Sequence, residues 1–69
     1  MSKPKFQEKD RVKQIRGSFI YIIDEIYYDE NDDELPIYSV HGLDSPAIKK
    51  MFVEDELEFI GFSNYINYN

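Results

Sequence analysis

Apolar residues along this 69-residue chain fall into short pieces, Arg11 to Arg16, Phe19 to Tyr28, Ile37 to His41 and Ala47 to Ile60, separated by turn-forming or acidic segments. Pieces of that size are the signature of strands in a small all-β domain. The run Phe19-Ile-Tyr-Ile-Ile-Asp-Glu-Ile-Tyr-Tyr28 follows the turn signal Gly17-Ser18 and carries the clearest strand pattern. Its phase slips, because Tyr21 and Ile23 alternate onto one face while the next apolar residue, Ile26, is three positions on. A β-bulge near Asp24-Glu25 restores the alternation and adds the twist that lets a sheet curl.

The next strand repeats the two-residue period at Tyr38 and Val40, with Pro36 expected at its first residue, a position that needs no ladder N–H. Asp44 to Phe52 is ambiguous. Ser45 as a cap, Pro46 in a first turn, and Ile48, Met51 and Phe52 on one side describe a short helix. That stripe fails at Asp55, which favours a turn followed by a strand through Ile48 to Val53. Val53 to Glu56 then forms a single turn before a closing strand from Leu57 to Ile60.

At this size there is room for one domain, and such a chain buries only about 60% of the surface that its unfolded form exposes. Six Tyr and five Phe supply large apolar surfaces to an economical core. With no cysteine, neither disulfides nor thiolate metal ligands are available. Residues 1–5 read as a flexible N-terminus, 6–60 as the folded unit, and 61–69 as a tail or edge strand. No 18-residue apolar stretch and no hydrophobic segment behind a basic start is present, so neither a membrane span nor a secretory signal is expected, and the expected compartment is the cytoplasm.

Asp10-Arg11-Val12, Gly17, Tyr21-x-Ile23-x-x-Ile26, Tyr38-x-Val40 and Phe52-Val-Glu-Asp-Glu-Leu-Glu-Phe-Ile60 together resemble the small SH3-like barrel proteins of bacteria and their phages. The resemblance covers about residues 8–60. It implies a mainly β, SH3-like antiparallel barrel of about five strands with a short helical turn before the last strand, and a phage or mobile-element origin. The architecture hosts many activities, so it implies no chemistry.

The charges are unevenly placed. Residues 1–16 carry six basic and two acidic side chains, and residues 17–69 carry two basic and twelve acidic, giving +4 against −10 and a total of −6. Within Asp29-Glu-Asn-Asp-Asp-Glu34 the alternation of Asp29, Asn31 and Asp33 resembles the start of a calcium loop. The glycine and the bidentate glutamate that such a loop requires are missing, with Glu34 and Val40 in their places. A solvated acidic loop is therefore expected, and no cofactor or metal. His41 is the only histidine; Ser39, His41 and Asp44 can be drawn as a catalytic relay, but residues two apart on a strand share a face without forming one.

The expected function is that of a non-catalytic binding or adaptor module for another protein with a basic segment. Its contact surface would join Tyr27, Tyr28 and Tyr38 to Asp29, Asp32 and Asp33, in the manner of the grooves with which SH3-type domains hold extended peptides. The alternative is a nucleic-acid-associated protein, touching phosphate through Lys9, Arg11, Lys13 and Arg16 or acting as an acidic DNA mimic. The uncharged tail, residues 61–69, gives a route to a weak homodimer; otherwise the chain is expected to be a monomer.

Overall fold

The computed structural model describes residues 3–29 and 32–61, with the backbone course only at 29 and 32–34. The expectations for the first two residues, for the tail beyond Gly61 and for dimerisation through it lie outside the described residues. Five strands, β1 (Arg11–Gln14), β2 (Ile20–Asp29), β3 (Asp32–Gly42), β4 (Lys49–Val53) and β5 (Leu57–Gly61), form one antiparallel sheet in the order β4-β3-β2-β1-β5. A three-residue 3-10 helix, Glu54–Glu56, separates β4 from β5. Mainly β character, five strands and the helical turn before the last strand agree with the sequence reading, and the ambiguous segment is a turn followed by strand from Lys49 to Val53.

The phase slip in β2 is a bulge. Ile23 pairs with Val40 and Glu25 with Ser39, so Asp24 is the extra residue and Ile26 returns to the inner face opposite Tyr38. A second irregularity follows, where Tyr27 pairs with Ile37 but Asp29 pairs with Asp32, so residues 33–36 of β3 stand against Tyr28 alone. Pro36, buried there, has no N–H to lose to a ladder. Strand β3 therefore starts four residues earlier than its apolar pattern suggests, and four of the six residues of the acidic segment, Asp29 and 32–34, are strand rather than loop. Ladder bonds are made by backbone groups and need no apolar side chains.

Connectivity forces curvature. β4 and β5 lie at opposite edges of the sheet and run in the same direction, yet only the 3-10 helix joins the end of one to the start of the other. Four Cα steps from Val53 to Leu57 reach at most about 14 Å. In a flat sheet the two edges alone would stand about 19 Å apart. The sheet must wrap around its inner face, although no ladder among the described residues joins β4 to β5.

The inner face holds Phe6, Val12, Tyr21, Ile23, Tyr38, Val40, Phe52 and Leu57, packed with half-buried Ile26. Edge-to-face ring pairs Phe6–Tyr38 and Tyr21–Phe52, each at 5.3 Å between centroids, bring the chain's first aromatic residue and β4 onto the central hairpin. The segment before β1 is tied by local bonds. Gln7 N donates to Asp10 Oδ2 at 2.9 Å, Lys9 N donates to Ile23 O, and Ile23 N donates to Asp10 O. Lys9 adopts a left-handed backbone, φ 74°, to make that turn.

Candidate functional site

Strand alternation decides which expected site residues can meet. Tyr27 lies on the solvent face of β2, is 44% exposed, and its hydroxyl donates to the Glu25 carboxylate two residues back on the same face. That hydrogen bond, followed by partial desolvation and the carboxylate's charge, raises the Tyr27 hydroxyl pKa above its ordinary value. Tyr28 is half-buried on the other face. Asp29 and Asp32 pair through their backbones at the end of the β2–β3 hairpin, with Asp33 next in β3. The side chains of these three aspartates lie outside the described residues.

Tyr38 does not belong to that surface. It occupies the inner position opposite Ile26 and Phe52, is fully buried, and is part of the core rather than of an exposed tyrosine patch. Its hydroxyl donates to Glu54 Oε2 at 2.9 Å and accepts from Phe6 N at 3.3 Å, while Lys5 N also donates to Glu54 Oε2 at 2.8 Å. Burial, reinforced by the Glu54 carboxyl, raises the Tyr38 pKa well above that of a free tyrosine. Glu54, itself only 4% exposed, thus fastens the opening segment to the 3-10 helix. Nothing in the sequence distinguishes Glu54 from its acidic neighbours. The β3–β4 register brings it beneath Tyr38, because Tyr38 pairs with Phe52 and Glu54 follows two positions on, past outward Val53.

Two solvent-face features were not visible in the sequence. Tyr27 pairs with Ile37, and Ile37 with Val53, so one row of apolar side chains crosses three strands; Met51 stands beside it in the next row, opposite Ser39. Val53 is 39% and Met51 59% exposed. In the sequence Met51-Phe52-Val53 is a continuous apolar run, and only strand pairing separates inward Phe52 from its outward neighbours.

The second feature is a concavity of about 470 Å³ lined by Asp24, Glu25, Ser39, His41, Pro46 and Lys49. The bulge presents Asp24 to His41, whose Nδ1 lies 2.7 Å from Asp24 Oδ1. The imidazole's carboxylate partner is therefore Asp24 and not Asp44. Of a nucleophile relay only this contact is made: among the described residues, Ser39 is not hydrogen-bonded to His41. Also among the described residues, no group of three or more His, Cys, Asp or Glu side chains is placed to hold a metal ion.

The four basic residues expected to touch phosphate are dispersed. Lys9 and Arg16 flank β1 and are exposed, whereas Lys13 reaches Glu58 on β5 at 3.0 Å and Arg11 has its Nε buried without a hydrogen-bond partner among the described residues. Comparison of the chain with protein-family models, curated proteins and solved structures returns no match.

Proposed function

We propose that this chain is a non-catalytic binding module, an SH3-like barrel in the cytoplasm, that recognises another protein through a basic segment. The barrel reading is supported by the five-stranded antiparallel order, the curl that its connectivity demands and the helical turn before β5. The observation that carries the functional reading is the hairpin end. There the Asp29–Asp32 backbone pair gathers the densest run of acids, and exposed Tyr27 stands two residues inside it. A basic segment meeting that end would gain charge complementarity and an aromatic surface for its cationic groups. The phosphate-binding alternative has less support, because Lys13 already spends its charge on Glu58.

The test is a nuclease-treated pull-down from the native host comparing the wild-type chain with one carrying Asp29→Lys, Asp32→Lys and Asp33→Lys, followed by mass spectrometry. A protein lost selectively from the variant supports the reading. Recovery that disappears with nuclease from both samples refutes it in favour of nucleic acid.

A further inference from the structure

The solvent face of β2, β3 and β4 is more specific than its acidity. We infer that it is a docking surface for a partner segment presenting, on one side and about 7 Å apart, a bulky apolar residue and an arginine or lysine. This inference rests on the reading of the chain as a binding module and names what it binds.

Three observations combine. Tyr27, Ile37 and Val53 are successive cross-strand partners, so they form one apolar row, which exposed Met51 widens on β4. Adjacent strands stand about 4.8 Å apart, so the row is roughly 10 Å wide, matching one or two large side chains. Contiguous exposed apolar groups of this kind, rimmed by polar ones, mark contact surfaces.

One row further along β2 the bulge places two successive carboxylates, Asp24 and Glu25, at the edge of the concavity. Each has one oxygen engaged by a neighbouring side chain, Asp24 by His41 and Glu25 by Tyr27. The other oxygen of each can accept from a guanidinium or ammonium group. Rows along a strand repeat about every 7 Å, which sets the separation between the partner's apolar and basic groups. Lys49, on the far side of the concavity, repels a cation placed over β4 and so directs the partner's basic group toward β2.

The probe is a 12-residue peptide with Leu and Arg alternating at every second position and Ser between them, titrated into isotopically labelled full chain and followed by amide chemical shifts. Controls replace Arg by Glu, or Leu by Ser. The expected shifts centre on Tyr27, Ile37 and Met51. Glu25→Lys, and separately the pair Met51→Ser with Val53→Thr, should each weaken binding at least tenfold, as should either control peptide. All three substituted positions are exposed, so the variants keep the core intact.

Shifts centred elsewhere, or affinity unchanged in both variants, overturn the inference. If the Asp29, Asp32 and Asp33 reversal abolishes binding while the face variants do not, the acidic hairpin end stands and this inference falls; the opposite pattern supports this surface and removes the hairpin acids. Loss in none of them refutes both. Face amides that shift with protein concentration alone, with sedimentation altered by the Met51 and Val53 changes, overturn it in favour of a second copy as the occupant.

Discussion

Replacing Tyr38 by Phe removes one oxygen from the core and changes almost nothing in shape. The hydroxyl serves two groups that have little access to water: it donates to Glu54 Oε2 and accepts from Phe6 N. Without it the Phe6 amide has lost its acceptor, and the buried carboxyl keeps only Lys5 N. Leaving buried polar groups short of a partner costs about 1–3 kcal/mol, and about 2 kcal/mol is expected here. For a domain of this size that lowers Tm by roughly 8–16 °C.

The pH dependence is a sharper check. Because burial raises the folded-state pKa of Tyr38, the unfolded chain releases this proton at about pH 10 while the folded one retains it. The stability linked to that group is complete below pH 10 and is lost as pH rises beyond it, at up to about 1.4 kcal/mol per pH unit. Tyr38→Phe lacks the group, so its deficit against wild type should narrow between pH 10 and 11. Urea unfolding followed by circular dichroism at pH 7, 9, 10 and 11 measures both effects. A variant within about 0.5 kcal/mol of wild type at pH 7, below the cost of one such unsatisfied group, or a gap that stays constant to pH 11, would refute the reasoning.

Two further substitutions probe the backbone. Gly42→Ala would set a Cβ 2.8 Å from Ser45 O and 2.9 Å from Phe19 Cε2; because the first contact is backbone, urea unfolding should register a loss of about 2 kcal/mol, within the overpacking range. Lys9→Gly should move the other way, raising stability by about 0.5 kcal/mol, since relief of the left-handed conformation outweighs the entropy that glycine adds to the unfolded chain; a lower Tm in this variant would contradict that balance.

The features legible in the sequence were those written in local patterns. The bulge at Asp24 follows from the spacing of Ile23 and Ile26, and the turn at Glu54–Glu56 from acids between two apolar runs. What escaped depended on which strands become neighbours. Tyr38 shares the aromatic character of Tyr27, but the bulge and the register send the two to opposite faces. Ile37, Met51 and Val53 become a row only when β3 lies between β2 and β4. Asp24 meets His41 across a hairpin, at a separation of 17 residues. The start of β3 at Asp32 was hidden because backbone pairing leaves no mark on side-chain polarity.

The placement of β1 between β2 and β5 has a consequence for how the chain reaches this state. β2, β3 and β4 are joined by hairpin connections and can pair as they are made, whereas the β1–β5 ladder matches Arg11 with Gly61 and Gln14 with Leu57. Contacts between such distant parts of a chain pay the larger closure entropy and tend to form late. During synthesis β1 emerges before the other four strands and must wait, with one edge uncovered, until β5 has been made. The two ends of the folded unit therefore act as its clasp, and a chain stopped short of β5 carries an open sheet edge that other polypeptides can reach.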